Sequence, residues 1–307
     1  MEIRFDNRVA IVTGAGVGLG RAHALGLAAR GARVVVNDLG VSRDGTGSSS
    51  EAALSVVEEI KAMGGEAIAH GADVSDEDAV KDMIAQAMAK WGRIDIAVNN
   101  AGILMDKTFA KMEMSAFRKV VDVHLIGSAN VAHACWPHMR AAQYGRIVLT
   151  SSASGLYGNF GQSNYGAAKA AMLGLMNVLH MEGARDGIRV NTLAPTAATR
   201  MTADLLPDAA QELLAPETIT PGLLYLVSDD APSQVILGAG AGSYAETRIY
   251  ETQGITLTGE DNTPETVAAR FGDIRDETNQ QQLGDAFGQT KKYALNAAKA
   301  RGLKLDW

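Results

Sequence analysis

The sequence predicts an α/β fold in which helices cover both faces of a doubly wound parallel sheet of about seven strands. Short apolar runs rich in β-branched residues alternate with longer amphipathic stretches, as is typical of parallel strands joined by crossover helices. Glycine-rich or polar segments directly follow most of the apolar runs. Because ligands bind at the carboxyl ends of parallel strands, we expect these segments to line one edge of the sheet.

The predicted elements follow one another along the chain without internal repeats. Strands are predicted at 9–13, 33–37, 67–72, 94–99, 146–150, 188–193 and 234–237. Amphipathic helices are predicted at about 18–30, 50–63, 76–90, 115–142, 164–184 and 217–228, and two more near 264–278 and 284–301. We therefore expect a single domain over residues 1–245. A C-terminal helical extension over 246–307 would pack on it or on a neighbouring subunit.

The first predicted strand runs into a glycine-rich turn. The turn consists of Gly14, Ala15, Gly16, Val17, Gly18, Leu19 and Gly20. Glycines let the backbone approach a pyrophosphate closely, and the N-terminus of the following helix presents free N–H groups to it. The strand, turn and helix together predict a Rossmann-type domain that binds a dinucleotide.

Asp38, at the end of the second strand, indicates which dinucleotide is bound. It lies 18 residues beyond Gly20, close to the separation at which an acidic residue meets the adenosine ribose. A carboxylate there accepts hydrogen bonds from both ribose hydroxyls and repels a 2′-phosphate, which favours NAD over NADP. Arg21 does not change this prediction, because it follows the last glycine and the neutral Val17 occupies the crevice position.

The segment from Ser152 to Lys169 combines a hydroxyl, a phenol and an ammonium group. Tyr165 and Lys169 are four residues apart, so on a helix they share one face. A neighbouring ammonium favours the phenolate and lowers the pKa of a phenol, which otherwise lies near ~10. The pair alone also fits an exposed tyrosine beside a solvated lysine. With the glycine turn and Asp38, it predicts a site that moves a proton to or from a substrate oxygen.

Composition excludes several functional classes. Of the 307 residues, 47% are hydrophobic and 21% charged, as in an ordinary globular enzyme acting on a small molecule. A net charge of −7 argues against nucleic acid as a partner, and no apolar run is long enough for membrane insertion. We expect a cytoplasmic protein without a metal. The chain has a single cysteine, Cys135, its six histidines show no metal-ligand spacing, and its N-terminus has no signal-peptide pattern.

These motifs resemble those of the short-chain dehydrogenases/reductases. The matching pieces are the glycine turn, Asn99-Asn100-Ala101-Gly102, Ser152 and Tyr165-x-x-x-Lys169. The resemblance implies hydride exchange between a nicotinamide and a carbinol or carbonyl carbon, with Tyr165 as acid and base. It also implies that Ser152 holds the substrate oxygen, and that Lys169 lowers the pKa of Tyr165 and binds the nicotinamide ribose. Further cofactor contacts are implied for Asp73, Val74, Asn99, Ala101, Gly102, Pro195 and Thr199.

One position departs from the family pattern. His124 stands where the family usually carries an asparagine that holds a proton-relay water. A histidine in an apolar helix is commonly a core residue with satisfied hydrogen bonds. The alternative is that its imidazole takes over part of the relay, so His124 is a fourth candidate beside the three residues above.

Longer stretches resemble one subgroup of the family, the (3R)-hydroxyacyl-CoA dehydrogenase units of the peroxisomal multifunctional enzymes of type 2, also called 17β-hydroxysteroid dehydrogenase type 4. The matching stretches are 34–40, 40–50, 100–104, 123–125, 151–162, 194–202 and, more weakly, 263–271. The implied substrate is a (3R)-3-hydroxyacyl-CoA, with a hydroxysteroid or a CoA-activated steroid side chain as the alternative. This implies a role in lipid or steroid metabolism. A homodimer or homotetramer is expected, and an NAD-binding regulator is the non-enzymatic alternative.

The substrate side is predicted only in outline. Residues 199–222 are long enough to form a lid over the site. Tyr157 and Phe160 are candidate substrate contacts. Arg43 and Arg200 are candidates for binding CoA phosphates, although solvated arginines are commoner. Apolar lid residues would line an acyl or steroid pocket or simply pack within the lid; these are Met201, Leu205, Leu206 and Leu213.

Overall fold

Eight strands form one sheet in a computed structural model, which describes residues 2–42, 44–47, 49–198 and 208–307. The strands are β1 (Val9–Thr13), β2 (Arg33–Asn37), β3 (Ala67–His70), β4 (Ile96–Asn99), β5 (Gly145–Thr150), β6 (Ile188–Pro195), β7 (Ile236–Gly240) and β8 (Ser243–Thr247). Their order in the sheet is β3-β2-β1-β4-β5-β6-β7-β8, and the pairs from β3 through to β7 are all parallel. The predicted doubly wound α/β fold is confirmed.

The helices that join these strands cover both faces of the sheet. They are α1 (Gly18–Ala29), α2 (Glu51–Ala62), α3 (Glu77–Trp91), α4 (Met114–Val121), α5 (Gly127–Ala141), α6 (Ala153–Tyr157), α7 (Ser163–Gly183), α8 (Asp208–Leu213) and α9 (Thr220–Leu226). Successive strand residues point to opposite faces. In β1, Ala10 and Val12 therefore join a core with α1, α2 and α9, whereas Ile11 joins a second core with α3, α5 and α7.

In the first 247 residues, the short helices α6 and α8 were not predicted, and two further features differ from the predicted elements. The predicted helix over 115–142 is divided, because a π-helical turn, Asp122–Ile126, separates α4 from α5. The eighth strand, β8, was not predicted. Ala241 and Gly242 both have positive φ (50° and 72°), which suits a two-residue hairpin turn, so β8 runs antiparallel to β7.

The chain folds as two compact units, Met1–Glu246 and Thr247–Trp307. The second contains α10 (Pro264–Ala269), α11 (Phe271–Ile274) and α12 (Ala286–Ala300). Within it, the buried Lys292 ammonium donates to Glu251 at 2.7 Å and to the Thr252 carbonyl at 2.6 Å, beside a cavity of about 320 Å³. The packing of this unit on the first, or on another subunit, stays a prediction.

Asp95, just before β4, ties the amino ends of the central strands together. Its fully buried carboxylate accepts hydrogen bonds from the Val9 N–H at 2.9 Å, from Arg8 at 3.1 Å and from Arg93 at 2.6 and 2.8 Å. A buried acceptor with this many donors is costly to remove, because its partners are left without the charge that they surround.

We therefore expect Asp95→Ala to lower the free energy of unfolding by about 3 kcal/mol, as is usual when one member of a buried ion pair is removed. Urea unfolding followed by circular dichroism measures this. The control is Asp229→Ala, which removes the exposed partner of the same Arg8. That variant should cost less than about 1 kcal/mol. Equal losses in the two variants would contradict the role assigned to Asp95.

Candidate active site

The carboxyl ends of neighbouring strands bring most of the predicted site residues to one edge of the sheet. Gly14 follows β1, Asp38 follows β2, Asn99 ends β4, Ser152 follows β5 and Pro195 ends β6. The chain winds outward in opposite directions from β1 and from β4, so the strand order reverses between these two strands. Such a reversal leaves a crevice in which α/β proteins bind ligands.

The glycine turn after β1 is held against the loop after β4. Gly14 has φ +61°, and a Cβ on it would lie 2.8 Å from the Ala101 Cα. The Asn100 amide donates to the carbonyls of Thr13 and Gly14, both at 3.0 Å. A Cβ on Gly20 would collide with the Gly14 carbonyl. The backbone of the turn is therefore fixed and bare, which fits the close approach of a pyrophosphate.

The Asp38 carboxylate is fixed at the mouth of this turn. One oxygen accepts from the Gly16 N–H at 2.7 Å and the other accepts from the Gly40 N–H at 2.8 Å. Arg21 is turned away from the turn, because its guanidinium makes a two-oxygen ion pair with Glu59 on α2 at 2.7 and 2.8 Å. Backbone donors therefore hold the Asp38 carboxylate in place, and the Arg21 guanidinium is paired elsewhere.

Other predicted cofactor contacts lie farther along the same edge. Asp73 accepts hydrogen bonds from the Ser75 N–H and hydroxyl, and Val74 is buried against Gly127 of α5. Val17 is 45% exposed at the start of α1, beside Gly18 and Leu19. Thr199, Arg43, Arg200, Met201, Leu205 and Leu206 lie outside the described residues, so their predicted contacts remain predictions.

The three residues of the predicted proton-transfer site come together. Ser152 precedes α6 and accepts a hydrogen bond from the Ser154 N–H at 3.2 Å, while its hydroxyl is also bonded to the Tyr165 phenol. Tyr165 and Lys169 share one face of α7, with the Lys169 Nζ 5.6 Å from the centre of the tyrosine ring. Lys169 is buried, and its Nζ donates to the Thr150 carbonyl at 2.6 Å.

Burial dominates the electrostatics of this group. Burial raises the pKa of Tyr165, and the charge of Asp106 raises it further. The hydrogen bond from Ser152 lowers this pKa but does not cancel the effect of burial. Burial lowers the pKa of Lys169 to about 7. A lysine with this pKa is only partly charged near neutral pH. That Lys169 lowers the pKa of Tyr165, as the family resemblance implies, stays a prediction.

His124 lies in the π-helical turn and is 3% exposed. Its Nε2 is 3.1 Å from the Ile103 N and 2.9 Å from the Ile103 carbonyl, so it accepts from one or donates to the other according to its tautomer. Its ring packs edge-on against Tyr165 with centroids 5.2 Å apart, and a Cβ on Gly102 would collide with it. Burial, and secondarily the charge of Lys169, hold its pKa well below the usual range. His124 is therefore a neutral side chain that contacts Tyr165 directly.

Several buried polar atoms at this edge have no hydrogen-bond partner within the described residues. They are both side-chain atoms of the Asn99 amide, the Thr150 hydroxyl and the His124 Nδ1. Leaving such atoms unpaired is costly, so they point to groups that bind there. Together with the bare glycine turn and the fixed Asp38, they fit a dinucleotide cofactor.

The sequence reasoning missed several residues of this edge, Asn100 and Gln162 among them. Asn100 joins β1 to β4 and lies inside a recognised motif, which was a usable signal. Gln162, three residues before Tyr165, is hydrogen-bonded to Asp106, and nothing in the spacing of the sequence indicates that contact.

Comparison with known proteins identifies the family. Residues 8–210 match the family model described as short chain dehydrogenase. The chain belongs to the short-chain dehydrogenase family. It is therefore an oxidoreductase that acts on CH–OH groups, and its cofactor is a nicotinamide dinucleotide.

The comparisons also support the subgroup. The chain is 45% identical over 280 residues to the peroxisomal multifunctional enzyme type 2 of Mus musculus, covering 90% of this chain and 38% of that protein. It is similar to the structure of the full-length peroxisomal multifunctional enzyme type 2 from Drosophila melanogaster, with a TM-score of 0.79 and 36% identity, over 95% of this chain and 49% of that one. This short-chain dehydrogenase thus spans less than half the length of either relative.

A third similar structure is a 7α-hydroxysteroid dehydrogenase complexed with NADH and 7-oxo glycochenodeoxycholic acid. Its TM-score is 0.70 and its identity is 31%, over 78% of this chain and 95% of that one. In the part of the short-chain dehydrogenase that the structure describes, no helix has the length and apolar character needed to cross a membrane. No group of three possible metal ligands occurs in that part either. The cytoplasmic location stays a prediction.

The lowered pKa of Lys169 predicts how stability depends on pH. An unfolded lysine titrates near ~10.4, whereas the folded one titrates at about 7. Between these values the unfolded state binds the extra proton, so stability rises with pH. We expect the difference in free energy of unfolding, wild type minus Lys169→Met, to increase from pH 7 to 9. Urea unfolding at each pH measures it. A difference that does not change with pH would show that Lys169 is charged in the folded protein.

Proposed function

We propose that this chain interconverts (3R)-3-hydroxyacyl-CoA and 3-oxoacyl-CoA with NAD. The observation that carries the proposal is the 45% identity to a peroxisomal multifunctional enzyme type 2 over 90% of this chain, together with the assembled Ser152, Tyr165 and Lys169. The proposal follows the subgroup resemblance found in the sequence.

The three residues can perform the proton transfer. The Ser152 hydroxyl, bonded to the Tyr165 phenol, would hold the substrate oxygen beside it. In oxidation, Tyr165 as phenolate would take the proton of the carbinol, and in reduction the phenol would return it. When bound, NAD supplies the hydride acceptor. The raised pKa of Tyr165 favours its acid form at neutral pH, so oxidation should speed up as the pH rises.

Lys169 and His124 both lie next to Tyr165. Lys169 is held at the Thr150 carbonyl and would bind the nicotinamide ribose. The edge-on contact of His124 with Tyr165 restricts the position of the tyrosine ring. Because the imidazole is held neutral, we assign His124 to positioning Tyr165 and the Ile103 backbone rather than to acid catalysis.

Specificity for NAD is proposed on the Asp38 geometry. Its carboxylate is held by two backbone N–H groups at the glycine turn, and the nearby Arg21 is engaged by Glu59. A 2′-phosphate would meet a fixed negative charge there.

Exposed aromatic side chains near Ser152 support a substrate with an apolar part. Tyr157, at the end of α6, is 73% exposed, and Phe160 is 89% exposed. A hydroxysteroid is the second candidate substrate, because the 7α-hydroxysteroid dehydrogenase structure is similar over 78% of this chain. Membership of an oxidoreductase family speaks against the regulator alternative.

Tyr165→Phe tests the chemistry. Loss of the acid and base should lower kcat by ~10²–10⁴-fold while NAD binding persists. NADH formation from (3R)-3-hydroxybutyryl-CoA measures kcat, and a fluorescence titration with NAD measures cofactor binding. The (3S) epimer and a 7α-hydroxysteroid complete the panel. Turnover of the steroid but not the thioester would replace the proposed substrate, and full activity of Tyr165→Phe would overturn the site.

Asp38→Asn tests the choice of cofactor. Removing the charge should raise kcat/KM for NADP relative to NAD by ~10-fold or more, which corresponds to about 1.4 kcal/mol. The matched control is Glu58→Gln, which neutralises an exposed acid on α2 that pairs with Lys61. If wild type already uses NADP as well as NAD, Asp38 does not discriminate between them.

A further inference from the structure

A network of side-chain hydrogen bonds lies beside Ser152, Tyr165 and Lys169. It takes no part in the proton transfer described above. Its centre is Gln162, which is 8% exposed. The Gln162 amide donates to an Asp106 carboxylate oxygen at 2.9 Å. The Gln162 carbonyl oxygen accepts from the Ser154 hydroxyl at 2.7 Å and from the Asn159 amide at 3.1 Å.

At one end of this network, Asp106 lies in the loop after β4, which is held in place by backbone contacts. The Lys107 N–H, next to Asp106, donates to the Gly161 carbonyl at 2.9 Å. The fully buried Asn164 donates to the Met105 carbonyl at 2.9 Å. The loop that carries Asp106 is therefore tied to the start of α7 on both sides of the carboxylate. Asp106 is close enough to Tyr165 for its charge to raise the pKa of the phenol.

At its other end, the hydrogen-bond network reaches Ser152, which precedes α6. Ser154 donates its hydroxyl hydrogen to Gln162 and its backbone N–H to the Ser152 hydroxyl. Ser152 has an extended backbone with φ −166°, and α6 is only five residues long. So short a helix has little stability of its own. The position of the Ser152 hydroxyl then depends on what holds Ser154.

We propose that Gln162 is a positioning residue, which anchors Ser154 to Asp106 and so places the Ser152 hydroxyl against Tyr165. This inference rests on the proposed roles of Ser152 and Tyr165. Gln162 suits the task because an amide can donate to a carboxylate on one side and accept from a hydroxyl on the other. A misplacement of ~1 Å at a reacting group can cost ~10²-fold in rate.

Three variants test the polarity of this contact. Gln162→Met keeps the size of the side chain but makes no hydrogen bonds. Gln162→Glu keeps its shape and its acceptors but places a second carboxylate against Asp106, and two carboxylates this close cannot both ionise. In the double variant Asp106→Asn with Gln162→Glu, the introduced amide donates to the introduced carboxylate, so the bond between positions 106 and 162 is restored in the opposite direction. The bonds from Ser154 and Asn159 keep their direction.

The assay is oxidation of (3R)-3-hydroxybutyryl-CoA by the full chain with NAD. We expect kcat to fall ~10–100-fold in Gln162→Met, with an unchanged Kd for NAD and retained folding by circular dichroism. In Gln162→Glu, kcat relative to wild type should rise as pH falls from 8 to 6, because a shared proton restores the contact. The ionisable side chains beside Tyr165 are Lys169, His124 and Asp106. Lys169 and His124 are the same in both proteins, so taking the ratio to wild type removes their contribution.

The double variant should recover at least ~10-fold of the activity that Gln162→Glu loses at pH 8. The control is Glu113→Gln, which neutralises an exposed acid before α4 that caps no helix with its side chain. It should behave as wild type. If Gln162→Met keeps wild-type kcat while Tyr165→Phe is inactive, the proposed function stands and the positioning role is overturned. A double variant no better than Gln162→Glu would also overturn it.

Discussion

The crevice between β1 and β4 is the constraint from which the rest of the site is built. Parallel strands that wind outward in opposite directions leave this gap at their carboxyl ends. Thr13 and Asn100 close its base, since the Thr13 hydroxyl accepts from two N–H groups of the opposite loop and the Asn100 amide binds back to the turn. The bare glycine turn, Asp38 and the loop that supports His124 all extend from this closure.

Much of the fold could be predicted, because a strand buried on both faces must be apolar along its whole length. The runs at Val9–Thr13 and Arg33–Asn37 are apolar except at their ends and occur as strands at those residues. The strand Ser243–Thr247 could not be predicted in this way, since most of its residues are exposed at the sheet edge. The π-helical turn was missed because the segment stays helical through it, and the apolar pattern is displaced by only one residue.

The sequence predicts which three residues form the proton-transfer site, Ser152, Tyr165 and Lys169. It does not predict their protonation states. Spacing places Tyr165 and Lys169 on one face, and the structure does so. Spacing does not show how deeply they are buried, and burial decides their pKa values. The contact of Gln162 with Asp106 joins residues 56 positions apart. Its partners are set by how two loops pack, which no local pattern encodes.

The π-helical turn restricts how this site can change. One residue adds about 100° of rotation in a helix, so the extra residue at Asp122–Ile126 sets the rotation of α5 relative to α4. Both helices are committed, since α4 packs on α7 and α5 packs on α3. A substitution keeps the number of residues between α4 and α5, whereas a deletion at the turn would rotate the buried face of α5 out of the core. The position of His124 thus depends on the number of residues between α4 and α5. A substitution at this position changes the side chain but not where the backbone places it.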